Sequence, residues 1–367
     1  MKHCSLTCKW LTRFVAATLL TLSAWVVWDN WGRFIHPVES GITSTTADTT
    51  DTLARGKYLA NIGGCVACHT AKGGDTLAGG RRIDTPFGAV FSSNLTSSKT
   101  NGLGDWRETD FASALSWGRS RNGRLLLPVF PYNHTSVFTP DDVHALFSWL
   151  QTVPAVEQAQ PAHQLTWPLG TQPVIAVWRS LFFKPTPFKT NPNESAEWNR
   201  GAYLVQSAGH CAACHGQRNA LGSFPAVDDV SGGFLSPQLW LAPSLTDAAQ
   251  TTLSTSTLND TAQLLRLGQT QHAHASGPMA EFVQYSGQYL TQADALAIAT
   301  YLKSNIKPSA RTGSQPNAPL AASSPAAQTL YKTHCATCHG DNGEGKARTY
   351  PALAGNPAVV LAQPDNL

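Results

Sequence analysis

Three stretches of the chain repeat one five-residue pattern that holds two thiols and an imidazole at fixed spacing. They are Cys65-Val66-Ala67-Cys68-His69, Cys211-Ala212-Ala213-Cys214-His215 and Cys335-Ala336-Thr337-Cys338-His339. In such a motif the two sulfurs stand one helical turn apart, where both can add to the vinyl groups of a haem; the adjoining histidine then lies beneath the ring and binds the iron. A dithiol redox pair or half of a zinc site also uses Cys-x-x-Cys, but neither calls for the same histidine three times. The pattern therefore predicts three covalent haem c groups. Cys65, Cys68, Cys211, Cys214, Cys335 and Cys338 attach them, and His69, His215 and His339 are the proximal ligands.

The sixth ligand decides what such an iron does. A methionine or a second histidine closes the site for electron transfer, whereas an open position admits small molecules. Methionine occurs only as Met1 and Met279. Met279 follows His215 by 64 residues, in Gly277-Pro278-Met279, and is the expected sixth ligand of the second haem, with His272 and His274 as competitors. The same spacing from His69 reaches Phe130-Pro131-Tyr132-Asn133-His134, which has no methionine. Either His134 completes a bis-histidine pair with His69, or the first iron is five-coordinate and shielded by Phe130. After His339 come 28 residues with neither a methionine nor a closing helix, so the third domain reads as incomplete.

The elements that must position these groups recur with the motifs. Gly56-Lys57-Tyr58-Leu59 precedes the first motif and Gly201-Ala202-Tyr203-Leu204 the second, with Leu330-Tyr331 in a shorter third approach. Thr139-Pro140-Asp141-Asp142 is a helix start, with a capping threonine, proline at the first helical position and an acid at the third. Thr291-Gln292-Ala293-Asp294 is its counterpart, and apolar residues at helical period follow each. An all-α plan repeated in tandem results. The expected boundaries are 52–153, 195–306 and 326–367 for the three haem domains, with linkers at 154–194 and 307–325. The first linker carries a proline-broken apolar stretch, Trp167 to Phe188. It is either a packed strap between domains or a patch that meets a bilayer or a larger subunit.

At the N-terminus fifteen uncharged residues, Phe14 to Trp28, are followed by Asp29, Asn30 and Trp31 rather than by a small-x-small cleavage site. Residues 1–36 are read as an uncleaved transmembrane anchor, with a cleaved signal as the alternative, and residues 37–51 as a flexible tether. Lys2, Lys9 and Arg13 keep the N-terminus in the cytoplasm, where Cys4 and Cys8 are free thiols, and send the haem domains to the periplasmic side. Those three cations equal the whole net charge of +3, so no basic face points to nucleic acid.

With these motifs the sequence resembles the membrane-anchored three-haem cytochrome c subunits of bacterial periplasmic dehydrogenases. The likeness extends to Thr85-Pro86-Phe87-Gly88, Gly102-Leu103-Gly104-Asp105-Trp106 and Asn199-Arg200-Gly201-Ala202-Tyr203-Leu204. It implies tandem class I cytochrome c domains behind one N-terminal membrane helix. It also implies electron relay from a large dehydrogenase catalytic subunit, with a small iron-sulfur subunit as a further partner, to ubiquinone in the inner membrane. Phe130-Pro131-Tyr132 and Gly277-Pro278-Met279-Ala280-Glu281 are more similar to cytochromes serving molybdenum hydroxylases of the aldehyde, nicotinate and isoquinoline types than to those of quinoprotein alcohol dehydrogenases. Arg81, Arg82 and Arg218 are candidate propionate contacts. The competing readings are a peroxidase-type multihaem enzyme with an open iron and an electron donor to a terminal oxidase.

Overall fold

Two helical units built to one plan follow a long N-terminal helix, α1 (Cys4–Trp31), and a third unit is formed around the last motif. The computed structural model describes residues 4–32, 49–223, 226–235, 239–270, 273–308, 324–346, 349–354, 356 and 359, with backbone only for 4–8 and 49. Most of the expected tether and second linker, His272, and the side chains of Cys4 and Cys8 lie outside the described residues.

In the first unit α2 (Thr49–Ile62) runs into the motif helix α3 (Cys65–His69), and α4 (Glu108–Trp117), α5 (Tyr132–Thr135) and α6 (Pro140–Leu150) complete it. The second unit repeats the order with α8 (Ala196–Gln206), motif helix α9 (Ala212–His215), α10 (Leu258–Leu267), α11 (Gly277–Tyr285) and α12 (Gln292–Ser304). In both, the first helix crosses the last at a glycine. A Cβ on Gly56 would come within 1.9 Å of the Ala145 carbonyl oxygen, and one on Gly201 equally close to that of Ala297. No side chain larger than hydrogen permits that approach, which explains why both repeats carry glycine there.

Leu59, Leu146, Leu150, Leu204, Ile298 and Leu302 are among the buried side chains that fill the two units as one continuous core. Each contributes about 1.5–3 kcal/mol by leaving water. The caps form as the sequence predicts: Thr139 accepts from the Asp142 amide and Thr291 from the Asp294 amide.

The helical plan is supplemented by small antiparallel sheets. β1 (Arg82–Thr85) and β2 (Gly88–Phe91) form a hairpin, and β3 (Gln164–Leu165) from the linker adds to β2. β4 (Gly233–Leu235) pairs with β5 (Trp240–Ala242) in the second unit. The linker therefore runs back along the first unit. Its apolar stretch contains a helix, α7 (Gln172–Phe182), which starts with Pro173 in its first turn and packs against the end of α1. Proline at that place opens a helix rather than breaking one. In the third unit α13 (Pro325–His334) leads into motif helix α14 (Ala336–His339).

Candidate functional site

Each motif helix delivers its histidine to the same backbone device. The Nδ1 of His69 lies 2.7 Å from the Ser93 carbonyl oxygen, that of His215 2.8 Å from Pro243, and that of His339 2.8 Å from Pro351. A carbonyl can only accept, so Nδ1 carries the proton and Nε2 keeps its lone pair for a metal. Burial pushes the His69 and His215 imidazoles below the ordinary histidine range, against the hydrogen bond to the carbonyl. Both rings are thus neutral, the form that binds iron.

The acceptor segment is held in place by a glycine. Gly79, Gly232 and Gly345, all at positive φ, donate to the carbonyls of His69, His215 and His339, each at 2.7 Å. A Cβ on Gly79 would lie 2.6 Å from the Ser93 carbonyl carbon, and one on Gly345 2.7 Å from that of Pro351. Two residues after each acceptor comes a leucine, Leu95, Leu245 or Leu353, whose amide is bonded to the loop after the motif. Pro-x-Leu in the second and third units is a legible trace of this repeat, but Ser93-Asn94-Leu95 breaks it in the first.

No disulfide joins the six motif cysteines. Burial pushes Cys65 and Cys211 up to about 12, helped by Cys68 and Cys214 respectively. Two unbridged sulfurs beside an imidazole are what addition to the two vinyl groups of a haem requires. Leu204, Leu265, Phe282, Leu290 and Ile298 line an apolar cavity against Cys211, and Met279 packs half-buried on the same core. The residues present therefore fit a covalently held, buried macrocycle ligated by imidazole.

Arg81 and Arg218 occupy matching positions. Arg81 donates to the Ala67 carbonyl and Arg218 to that of Ala213, each at 2.7 Å and each to the residue just before the second motif cysteine. They brace the Cys-x-x-Cys turns. Arg82 is engaged elsewhere, with Asp84 and Gln164.

The starts of the first two motifs pack next to each other. A Cβ on Gly64, the residue before Cys65, would lie 3.8 Å from Nε2 of His210, the residue before Cys211. Arg81 reaches Glu281 on the Met279-bearing helix at 4.0 Å. The fully buried His134 has its Nδ1 2.7 Å from the Gln206 carbonyl of the second unit, and its ring lies 6.2 Å from that of His210. His210, the residue before Cys211, has a φ of +34 where the first unit has Gly64 at +66.

A reciprocal exchange of hydrogen bonds locks this pair of units. Tyr58 of the first unit donates to Asp294 of the second at 2.6 Å, and Tyr203 of the second donates to Asp142 of the first. Arg55 and Arg200 pair with Asp142 and Asp294 from within the same units. Thus Arg-Gly-x-Tyr in each repeat supplies an arginine to its own closing helix and a tyrosine to its neighbour's. Sequence reading located both motifs and both aspartates as local signals, but not the crossing between them.

Known proteins match the chain over most of its length. The cytochrome c family model matches residues 199–305 and 325–366. The cytochrome c subunit of the quinone alcohol dehydrogenase of Gluconacetobacter polyoxogenes is 36% identical over 331 residues, 85% of this chain and 70% of that one. The chain belongs to the cytochrome c subunits of dehydrogenases. One of the subunits of Pseudomonas putida nicotinate dehydrogenase is 35% identical over 343 residues, 92% of this chain and 28% of that protein. A dihaem c-type cytochrome of Cereibacter sphaeroides is 33% identical over 263 residues, covering 70% of this chain and 87% of the relative. A multihaem c-type cytochrome, an electron-transfer subunit, is what this family membership means for the present chain.

Proposed function

We propose that the chain holds three covalent haem c groups and relays electrons from a dehydrogenase catalytic subunit to ubiquinone, the first two units acting as one di-haem block. The observation that carries this is the thrice-repeated histidine–carbonyl–glycine device, with the starts of the first two motifs packed next to each other. Bound haem supplies reversible one-electron exchange at iron. The chain's own residues do the rest. His69, His215 and His339 present Nε2, Ser93, Pro243 and Pro351 fix the ring orientation, and the apolar wall by Cys211 excludes water, which tunes potential.

Met279 is the sixth ligand we assign to the second iron, supported by its packing on the core to which the leucines of the Cys211 cavity belong. His134 is the candidate for the first, supported by an Nδ1–carbonyl arrangement like that of the motif histidines. Its contact with His210 favours a second reading, in which His134 braces the second motif and the first iron is five-coordinate. Low-spin EPR of His134→Ala separates the two: loss of one low-spin species supports ligation, and an unchanged spectrum refutes it.

The partner we propose is a molybdenum hydroxylase-type dehydrogenase with its small iron-sulfur subunit. This rests on the nicotinate dehydrogenase relative and on Phe130-Pro131-Tyr132. Lys9 and Arg13 at the start of α1 orient the haem units to the periplasmic side of the inner membrane. Haemochrome stoichiometry of three per chain, and quinone-analogue reduction by the complex with molybdenum in the co-purified subunit, are the expected results. A stoichiometry of two would remove the third site, and a peroxide-reducing activity of the isolated chain would favour an enzyme instead.

A further inference from the structure

Helix α7 is apolar on two faces, and the fold accounts for only one. Ile175, Ala176, Arg179 and Phe183 point inward, against α1 and the first unit. The opposite stripe, Pro173, Val177 and Leu181, is exposed, with Val177 at 47% and Leu181 at 58%. Trp167, just before the helix, is 83% exposed. A surface helix of a water-soluble domain keeps its outer stripe polar.

What covers that stripe follows from where the helix is fastened. Val26 and Trp31 of α1 pack on Leu125, Ile175 and Ala176. Asn30, 2% exposed, donates to the Ala176 carbonyl at 3.0 Å and to the Ser180 hydroxyl at 2.8 Å, and accepts from Arg179 Nε at 3.0 Å. Arg179, itself 3% exposed, also donates to the Trp117 and Gly118 carbonyls. Its guanidinium lies against the rings of Tyr132 and Phe183, at 4.9 and 4.8 Å from their centroids. The exit end of α1, helix α7 and the first unit are therefore joined in one polar knot.

The apolar part of α1, Lys9–Trp31, has 23 residues and none of its most apolar window is buried in the protein. At about 1.5 Å per residue it is about 34 Å long, against a hydrocarbon core of about 30 Å. A helix that crosses such a core brings Asn30 and Trp31 to headgroup level, and whatever is bound there lies at the same depth. That is where α7 is bound. It carries no acidic residue, and Lys184 and Lys189 follow it on the exposed side, where anionic headgroups attract them.

We propose that α7 lies in the interface of the bilayer that α1 crosses, with Val177, Leu181 and Trp167 meeting lipid. This second, in-plane contact fixes the height and tilt of the di-haem block, which a single helix on a tether does not. The proposal rests on the reading of α1 as a membrane span.

The test is spin-label EPR accessibility on the full holo-chain in nanodiscs containing anionic lipid, in a Cys4→Ser, Cys8→Ser background. Labels are placed at Val177→Cys, Leu181→Cys, Leu20→Cys in α1 and Thr100→Cys, an exposed residue of the first unit. Lipid burial gives high accessibility to oxygen and low accessibility to a water-soluble nickel chelate. We expect that pattern at 20, 177 and 181, shallower at the last two, and the reverse at 100. Nickel accessibility at 177 and 181 matching position 100, with 20 still lipid-buried, overturns the proposal and leaves the span intact. Exclusion of both reagents at 177 and 181 means a protein surface covers α7 and also overturns it. Nickel accessibility at 20 overturns the span itself.

Discussion

Replacing Tyr203 with phenylalanine removes one oxygen from the junction between the first two units and nothing else. The ring keeps its edge contact with Phe188, at 5.2 Å, and its place under Arg200. The hydroxyl donates to Asp142, whose side chain is 1% exposed, and accepts from the Thr139 amide at 3.3 Å. A hydrogen bond to a charged group contributes about 1.5–3 kcal/mol and a long neutral one about 0.5 kcal/mol. Tyr203→Phe should therefore cost about 2–3 kcal/mol, or about 30- to 150-fold in the unfolding equilibrium. Tyr58→Phe should cost less, about 1.5 kcal/mol, because two nitrogens of Arg200 still hold Asp294, at 2.8 and 2.7 Å. Urea titration of the holo-chain, followed by Soret circular dichroism, measures both. The double variant should split one transition into two, since each bond crosses between units. If Tyr203→Phe unfolds within about 0.5 kcal/mol of the parent, or if its effect persists undiminished in an Asp142→Asn background, the reciprocal exchange does not hold the units together.

Three further outcomes follow from the same geometry. Gly79→Ala should shift the EPR g-values and the potential of the first haem and lower haem retention, because its methyl group displaces the Ser93 carbonyl. Gly73→Ala, at φ +74 with nothing within 4 Å of the new Cβ, should cost only about 1 kcal/mol and leave the spectrum alone. Burial raises the Asp294 carboxyl, but hydrogen bonds from Arg200 and Tyr58 outweigh it and leave it below the usual carboxylate range. A depressed carboxylate adds stability above its unfolded value, about 3.9, and loses it as pH falls through the folded one, so the urea midpoint should drop below about pH 4. Asp294→Asn should flatten that acid limb, and an unchanged limb would count against the assignment. Met279→Leu should abolish the methionine-to-iron charge-transfer band and lower one of the measured potentials, whereas an unaltered spectrum places another ligand on the second iron.

Much of the helical plan was readable because its signals are local. Thr139 and Thr291 with their following acids, Pro140, and the leucine periods sit within a turn or two of the helices they start. The hairpin of β1 and β2 and the helix inside the apolar linker were less legible. Pro173 reads equally as a breaker and as a first-turn residue, and only the packing of Ile175 and Ala176 on α1 distinguishes them. Arg81 and Arg218 were visible as isolated cations near the motifs. Their common role, bracing the carbonyls of Ala67 and Ala213, needs the loop path that returns each arginine to its turn.

The amino-acid order alone determined the covalent chemistry, since five consecutive residues suffice to offer two sulfurs and an imidazole to one macrocycle, and a copy 146 or 124 residues later repeats it without help from its neighbours. Which groups meet across units was decided by tertiary structure. Tyr58 and Asp294 are 236 positions apart and Asn30 and Arg179 149 apart, and no periodicity links such pairs. They come together because packing the glycine-centred helix crossings of two units side by side brings each tyrosine to the capped end of the other's closing helix, and there a buried carboxylate must find its donors.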